Sequence, residues 1–344
     1  MGRFLDSFNS NIAIDMGSSN TRICYNDKGV VLREPTVVAL DKSFSPPKVI
    51  EVGRTAKSML GRAKGEIRTA SPLRYGVIAE MDLTVEMLKR FMDTVLGHRF
   101  IKFSPKVVLA VPASATGVEK KAAFETMKIA GAKKTYLIEK PVAAAVGAGL
   151  NIESPTATMI VDIGGGSTDI SILSYGDILM NNNIRVAGDD FNKAIQNYIR
   201  STKHILIGER TAENLKIKYG SVFKVEDDEE IEIRGINIIE KAPTTVNINK
   251  SNLRDALQPP IKYITKEIKL TIEASPPEVV SDIVEKGIVL TGGSALLDGI
   301  TDLIQSELRI PVRVAPEPLL SVVIGADKIQ NDNSYQRLLI NRKH

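Results

Sequence analysis

Two short segments of this sequence share one pattern. Each has an apolar strand ending in an aspartate, a turn rich in glycine and hydroxyl side chains, and a second strand with alternating apolar residues. The segments are NIAIDMGSSNTRICY (residues 11–25) and MIVDIGGGSTDISIL (residues 159–173). The pattern predicts two β-hairpins whose turn amides can bind phosphate oxygens, while each aspartate can hold a metal ion through water. One copy alone would fit an ordinary glycine-rich hairpin equally well, but two matching copies favour a duplicated phosphate site.

Other segments predict an α/β protein around these hairpins. Residues 106–150 read as strand, helix, strand, helix, the crossover pattern of a parallel sheet. Residues 187–200 and 208–220 predict amphipathic helices, and the acidic stretch 225–240 predicts a solvated hairpin edge. A third glycine turn, IVLTGGSALLDGI (residues 288–300), follows an apolar strand and is predicted to open a helix. By itself the third turn is a weak signal.

The composition restricts the classes of function. The chain has 344 residues, with 43% hydrophobic and 25% charged residues, which is typical of a globular protein with two domains or one bilobed domain. Its 45 basic and 41 acidic residues are too nearly balanced to predict a nucleic-acid partner. The single cysteine, Cys24, excludes an internal disulfide and is predicted to be a buried thiol in a reducing cytosol. No stretch approaches the roughly 20 apolar residues that span a bilayer, so we expect a cytoplasmic protein.

Several segments occur together in an order that is typical of one family. They are EPTVVAL, VGRTAKSMLGR, YGVIA, LIEKPVAAAVGAGL, VDIGGGSTDI, GERTAENLK and VLTGGSALLDGI. With these motifs the chain resembles the MreB family of bacterial actins over roughly residues 8–330, within the superfamily of actins, sugar kinases and heat-shock chaperone ATPases. The resemblance implies an α/β actin-like ATPase fold, in which two lobes of duplicated ribonuclease-H-like domains, each with a small subdomain, surround a nucleotide cleft.

The resemblance also implies subdomain boundaries and a site for ATP or ADP with Mg²⁺. The four subdomains are residues 1–30 with 71–150 and 316–344, residues 31–70, residues 151–183 with 247–315, and residues 184–246. The implied nucleotide-binding residues are Asp15, Gly17, Ser18, Ser19, Asn20, Asp162, Gly164, Gly165, Gly166, Ser167, Thr168, Gly188, Asp189, Glu209, Glu213, Lys216, Gly292, Gly293 and Ser294. Asp15 and Asp162 would hold Mg²⁺ through water, because Mg²⁺ retains its waters readily. Ser167 and Thr168 are also implied to be catalytic.

Four positions other than Lys140 depart from the family pattern. Ala187 replaces a glycine, which makes the backbone before Gly188 less free, and Asn192 replaces an aspartate. Ser294 stands where a third glycine is usual. Ser167 stands for a threonine, which preserves the hydroxyl but removes the β-branch that fixes its rotamer.

Lys140 is the departure with the largest expected consequence. Relatives usually have a glutamate immediately before this proline, and it helps to position the water that attacks the γ-phosphate. A carboxylate can accept a hydrogen bond from water, whereas an ammonium group has donors only. Glu139 cannot substitute, because neighbouring side chains on an extended segment point to opposite sides. We expect Lys140 to pair with the γ-phosphate or with Asp162, or else to face solvent.

The expected function follows from the same resemblance. Losing a group that activates a nucleophile typically costs about 10²–10⁴ in rate, so we expect a weak ATPase. Family members form paired antiparallel filaments on the inner membrane, which implies a homopolymer, sister family members as partners, and a role in cell shape or motility. The alternatives are a non-hydrolysing nucleotide-binding scaffold and a filament for plasmid or chromosome segregation. A small-molecule kinase would need a base for its acceptor, and a chaperone would need a substrate-binding domain; neither is evident.

Two apolar clusters are candidates for contact with an anionic membrane. Their residues are Phe4, Leu5, Phe8, Phe100, Ile101 and Phe103. The second cluster, Phe100, Ile101 and Phe103, lies among cations, which suits an anionic interface. The same side chains would equally fit packing inside the protein. The basic C-terminal stretch, residues 334–344, would dock on lipid, dock on a partner, or be disordered.

Overall fold

The structure is a computed structural model that describes residues 10–61, 65–97, 105–224 and 227–341. The chain forms two compact units. Unit 1 comprises Met1–Pro155, Leu173–Asn181 and Leu319–His344, and unit 2 comprises Thr156–Ile172 and Asn182–Pro318. The six residues proposed for membrane contact lie outside the described residues.

The strands and helices have the following bounds. The strands are β1 (Asn11–Met16), β2 (Asn20–Tyr25), β3 (Val30–Pro35), β4 (Val38–Asp41), β5 (Lys48–Val52), β6 (Ile67–Ala70), β7 (Leu73–Arg74), β8 (Val77–Ile78), β9 (Lys106–Val111), β10 (Lys134–Glu139), β11 (Thr158–Ile163), β12 (Thr168–Ser174), β13 (Asp177–Ile184), β14 (Ile205–Leu206), β15 (Glu230–Asn237), β16 (Pro243–Asn249), β17 (Ile288–Thr291), β18 (Val312–Val314) and β19 (Ile340–Asn341). The helices are α1 (Gly53–Ser58), α2 (Met81–Leu96), α3 (Gly117–Ile129), α4 (Lys140–Gly147), α5 (Gly188–Lys203), α6 (Glu209–Tyr219), α7 (Lys250–Glu273), α8 (Pro277–Lys286), α9 (Ile300–Leu308) and α10 (Ser321–Asn331). None of the helices in the described part of the chain has the length and apolar character needed to cross a membrane.

Unit 1 is built on a mixed sheet. Among the described residues its strand order is β19-β10-β9-β1-β2-β3. β1 pairs antiparallel with β2 and parallel with β9, which pairs parallel with β10. The strand–helix alternation predicted for residues 106–150 is therefore confirmed as β9, α3, β10 and α4. Cys24 on β2 is a buried thiol whose pKa burial raises to about 12, as expected of a structural cysteine.

The second sheet lies mainly in unit 2 and repeats the strand order of the first. Its order in the described chain is β13-β12-β11-β17-β18, with β11 parallel to β17 and β17 parallel to β18. The hairpin β11–β12 therefore takes the place that β1–β2 holds in unit 1, and β17 takes the place of β9. The duplicated sequence pattern thus lies within a duplicated sheet.

A small sheet in unit 2 contains the predicted acidic hairpin. β15 pairs antiparallel with β16, and Glu230 and Glu232 are exposed while Ile231 and Ile233 are buried. This alternation is typical of a strand with one face in water. β14 pairs with β15 at Ile236 and Asn237, so it lies at the end of β15 that is remote from the acidic residues.

The C-terminal stretch is folded onto unit 1 as far as Asn341. β19 pairs antiparallel with β10, and the Arg337 guanidinium donates to the carbonyl of Tyr175 at 3.2 Å. It also lies 3.4 Å from the carboxylate of Glu153. The disordered alternative is therefore wrong for this part of the tail, while Arg342 and the residues after it lie outside the described range.

Helices α4 and α10 approach each other so closely that two glycines are required. A methyl group added to Gly147 would overlap the carbonyl of Ser321, and one added to Gly325 would overlap the carbonyl of Ala143. The absence of a side chain is what allows two backbones to come this near. Because α4 begins at Lys140, this packing also fixes the position of that lysine.

We predict that Gly325→Ala lowers the free energy of unfolding by about 1–3 kcal/mol, because the new methyl group forces the two helices apart. Chemical denaturation followed by circular dichroism would measure the change. Gly117→Ala is the matched control, since nothing lies within 4 Å of a methyl group at that position. An equal loss of stability in both variants would contradict the role assigned to the close helix contact.

Candidate functional site

The first glycine turn, residues 15–20, connects β1 and β2. The amide of Gly17 donates to the carbonyl of Asn20 at 3.0 Å, and a methyl group on Gly17 would lie 2.8 Å from that oxygen. The hydroxyl of Thr36 donates to the carbonyl of Gly17 at 2.7 Å, and the amide of Thr36 donates to the carbonyl of Ser19 at 3.0 Å. The turn is therefore tight, needs glycine, and is held in place by the segment that follows β3.

Asp15 lies at the centre of a buried charge cluster beside this turn. Its side chain accepts a hydrogen bond from Arg22 at 3.1 Å, and its other carboxylate oxygen lies 3.2 Å from the ammonium of Lys140. The Lys140 contact is an ion pair without the geometry of a hydrogen bond at that oxygen. Burial by itself raises the pKa of Asp15. The two cations, Lys140 and Arg22, together lower the pKa by more than burial raises it, so the pKa lies below its usual value. Asp15 is therefore a carboxylate held in its charged form by two cations.

Lys140 is buried, with 7% of the residue exposed, and it is the first residue of α4. Its ammonium donates to the carbonyl of Met16 at 3.1 Å. The solvent-facing alternative is therefore wrong, and within unit 1 the carboxylate that contacts Lys140 is Asp15.

Glu139, which precedes Lys140 in the sequence, has a different partner. Glu139 forms an ion pair with Lys120 of α3 at 3.0 Å. This agrees with the expectation that Glu139 does not take over the position of its neighbour. In this arrangement the carboxylate of Glu139 serves to join β10 to α3.

The hairpin formed by β7 and β8 adjoins the first glycine turn. The amide of Gly76 donates to the hydroxyl of Ser18 at 2.8 Å, and the hydroxyl of Ser71 donates to the carbonyl of Ser18 at 3.3 Å. Tyr75 and Gly76 both have positive φ angles, 51° and 80°, so the hairpin turns sharply at this point. A methyl group on Gly76 would also lie 3.7 Å from the Lys140 ammonium.

The second glycine turn, residues 162–168, has the same closure as the first. The amide of Gly164 donates to the carbonyl of Ser167 at 3.0 Å. Thr168 is fully buried, and its hydroxyl donates to the carbonyl of Val186 at 2.7 Å. Thr168 is therefore packed beneath the turn, and the catalytic role implied for it stays a prediction. The side chain of Ser167 is half-buried at the turn itself.

The start of α5 packs against the second glycine turn. The amide of Gly188 donates to the carbonyl of Gly164 at 3.1 Å, and the amide of Asp189 donates to the carbonyl of Gly165 at 2.8 Å. Ala187 has a φ of −162°, which is extended backbone open to any residue. The conformation at Ala187 therefore does not require the glycine of the family pattern. Asn192, which stands for the aspartate of the family pattern, is buried.

The third glycine turn also packs against the second. The hydroxyl of Ser294 donates to the carbonyl of Gly164 at 3.1 Å, so the serine that replaces a glycine adds a hydrogen bond. Gly292 has a φ of 85°, and a methyl group there would overlap the carboxylate of Asp162. The turn does open a helix, as predicted, but it is a short 3₁₀ helix that begins at Gly293 and ends at Leu296. Helix α9 begins only after a second glycine with positive φ.

Helix α6 carries three predicted nucleotide-binding residues. Lys216 donates from its ammonium to the carbonyl of Gly188 at 2.8 Å. Glu209 and Glu213 lie one turn apart on the same helix face. Burial raises the pKa of Asp189 to about 6; Lys216 lowers this pKa, and Glu209 raises it. The structure thus brings Asp189, Lys216 and Glu209 into electrostatic contact, next to the second turn.

Three residues at the first glycine turn were missed by sequence reasoning. Arg22 lies opposite Asp15 in the register of the β1–β2 hairpin, so counting outward from the turn would have found it. Thr36 and Gly76 reach the turn from later parts of the chain, and no local pattern marks them. In the described residues no cluster of three or more histidine, cysteine, aspartate or glutamate side chains could hold a metal ion.

Solved structures with a similar overall fold define the class of protein. The chain matches the crystal structure of MreB5 of Spiroplasma citri bound to AMPPNP with a TM-score of 0.89 and 33% identity, covering 94% of this chain and 96% of that one. The ADP-bound structure of that protein matches equally well. A MamK double helical filament shares the fold at a TM-score of 0.77 and 18% identity, over 94% of this chain and 99% of that one. The fold is that of an actin-like ATPase.

Sequence comparisons identify the family within this class. The family model for MreB/Mbl protein matches residues 9–337. The cell shape-determining protein MreB of Escherichia coli strain K12 is 42% identical over 328 residues, which cover 95% of this chain and 94% of that protein. The cell shape-determining protein Mbl of Bacillus subtilis strain 168 is 43% identical over 318 residues, which cover 92% and 95%. The chain belongs to the MreB/Mbl family of actin homologues.

We predict that Asp189→Asn stabilises the nucleotide-free chain at pH 7.5 by about 1–2 kcal/mol and that this gain shrinks towards zero near pH 4. The pKa of Asp189 is raised from 3.8 to about 6, so the folded chain binds the proton more tightly than the unfolded chain does. The charged carboxylate therefore costs stability above pH 6, and asparagine removes this cost. Thermal and urea denaturation at several pH values would measure it.

Asp190→Asn is the control for this prediction. The carboxylate of Asp190 lies 3.1 Å from the ammonium of Lys193 and accepts a hydrogen bond from the amide of Ala187 at 3.2 Å. Its removal should lower stability at pH 7.5 rather than raise it. A gain from Asp189→Asn that stays constant from pH 7.5 to pH 4 would contradict the assignment of the raised pKa.

Proposed function

We propose that this chain binds ATP and ADP through its two glycine turns and assembles into cytoskeletal filaments whose state depends on the bound nucleotide. The observation that carries the proposal is the likeness to MreB5, which was crystallised with AMPPNP and with ADP and matches over 94% of this chain. Each turn supports the proposal separately. A methyl group would lie 2.8 Å from a carbonyl oxygen at Gly17 and 3.0 Å from one at Gly164, and both turns are fixed by surrounding hydrogen bonds.

The two aspartates differ in how well they fit a role beside Mg²⁺. Asp162 is the second-last residue of β11 and lies next to Gly292, and a carboxylate at this place in the turn is of the type that holds Mg²⁺ through water. Asp15 does not fit that role, because both of its oxygens already face cations. We therefore retain Asp162 as a candidate metal-binding residue and assign Asp15 no part in metal binding.

We propose that ATP hydrolysis by this chain is slow. The position that precedes Pro141 carries an ammonium that donates to a backbone carbonyl and contacts Asp15. Such a group cannot accept a proton or a hydrogen bond from an attacking water. The nearest carboxylate in the sequence, Glu139, is paired with Lys120. This chain therefore lacks the general base at the position where relatives have one.

The proposed cellular role is that of a filament that governs cell shape or motility. It is supported by the curated relatives, which are named as cell shape-determining proteins. Nucleotide binding can bias a chain towards a state that is competent for assembly, and slow hydrolysis would then give long-lived filaments. We propose a homopolymer of paired filaments at the inner face of the cell membrane, with sister family members as further partners.

A non-hydrolysing scaffold is the second candidate function, and the burial of Lys140 favours it. In that case ATP would act as a structural ligand whose γ-phosphate persists in the filament. Electron microscopy and pelleting of the purified chain with ATP, with AMPPNP and without nucleotide would test filament formation. Phosphate release from the pelleted filaments would separate the two candidates. Filaments that form equally without any nucleotide would contradict both.

We predict that Lys140→Glu raises the rate of phosphate release by about 10²-fold, because a carboxylate at this position can accept a hydrogen bond from the attacking water. A continuous phosphate-release assay with saturating ATP would measure the rate. Lys121→Glu makes the same change of charge on the exposed side of α3 and serves as the control. Equal rates in wild type and Lys140→Glu, with the variant folded and able to bind nucleotide, would contradict the account of slow hydrolysis.

A further inference from the structure

Three charged side chains meet beside the first glycine turn. Asp15 lies between Arg22, at 3.1 Å, and Lys140, at 3.2 Å. Asp15 and Lys140 are nearly buried, with 5% and 7% of each residue exposed, so water screens their charges weakly. The cluster carries a net charge of one positive unit. With a glutamate at position 140 the same cluster would carry one negative unit.

This difference changes what the site can hold. A divalent cation beside a nucleotide is favoured by carboxylates in its outer shell, and it is repelled by a nearby ammonium group. Asp15 offers no oxygen that is not already facing a cation. The charge that Mg²⁺ would bring to this side of the site is thus partly present in the protein itself.

The Lys140 ammonium also has a donor to offer a phosphate. Of its three N–H groups, one donates to the carbonyl of Met16 and at most one more is directed at Asp15. One N–H therefore remains for a phosphate oxygen, and lysine binds phosphate as a point charge.

We propose that Lys140 takes over part of the role of the divalent cation, so that this chain binds adenine nucleotides with little dependence on Mg²⁺. The inference rests on the proposed function, because it concerns the same nucleotide. It assigns to this chain a ligand, the metal-free nucleotide, that a site with two carboxylates at these positions would repel.

The test is the equilibrium binding of AMPPNP, measured by calorimetry in buffer with excess Mg²⁺ and in buffer with EDTA. AMPPNP keeps hydrolysis out of the measurement. For wild type we expect the Kd to rise by less than about threefold when Mg²⁺ is removed. Each unit of positive charge removed at position 140 should multiply the ratio of the Kd in EDTA to the Kd in Mg²⁺ by about ten. We therefore expect a ratio of about 10 for Lys140→Gln and about 100 for Lys140→Glu.

Lys121→Glu, an equal charge change on exposed α3, should behave as wild type does. Thermal melting provides a second readout: in EDTA, AMPPNP should raise the Tm of wild type but not that of Lys140→Glu. Circular dichroism checks that each variant is folded; should Lys140→Glu fail to fold, wild type and Lys140→Gln decide the question.

Two outcomes would overturn the inference, and they differ in what else they affect. The inference would be overturned, with nucleotide binding left intact, if the wild-type Kd rose more than about tenfold in EDTA. It would also be overturned if the ratio of the Kd in EDTA to the Kd in Mg²⁺ were the same for Lys140→Glu as for wild type. Failure of wild type to bind AMPPNP in either buffer would overturn the proposed function and this inference with it.

Discussion

The burial of the Asp15 carboxylate is the constraint on which the first glycine turn depends. A buried charge without a partner costs several kcal/mol, so the fold must supply cations close by. Arg22 comes from the neighbouring strand, because the register of the hairpin places it opposite Asp15. Lys140 comes from the start of α4, whose position is fixed by the glycine contact with α10. The chemistry at the turn therefore depends on helix packing on the same unit.

The two sheets repeat one topology but not one charge pattern. Arg22 lies seven residues after Asp15, and Asp169 lies seven residues after Asp162. Asp169 is buried and accepts a hydrogen bond from the amide group of Asn183 at 2.7 Å. The hairpin of unit 1 thus places a cation where the hairpin of unit 2 places an acid. This difference supports the proposal that Asp162 rather than Asp15 lies beside a divalent cation, although each aspartate is the second-last residue of an equivalent strand.

What could be predicted from the sequence is what local patterns encode. The glycine turns, the strand–helix alternation after residue 106 and the duplication were evident, because each rests on hydrophobic periodicity and turn chemistry. The partner of Lys140 was not, since Lys140 and Met16 are 124 residues apart and meet only through tertiary packing. The helix expected after Gly292 is only a short 3₁₀ helix, and α9 begins after a second glycine with positive φ, Gly299.

Lys140 occupies a position that the helix itself disfavours. The first turn of a helix carries partial positive charge, so a cation there loses about 0.3–1 kcal/mol, and α4 has no acidic residue in its first turn to offset this. The offset comes instead from Asp15 and the Met16 carbonyl. A phosphate that approached Lys140 would supply the same compensation and would relieve Asp15 of part of that role. If the nucleotide binds beside Lys140 as we propose, its binding is coupled to the contact between β1 and α4, and through α4 to the glycine packing against α10.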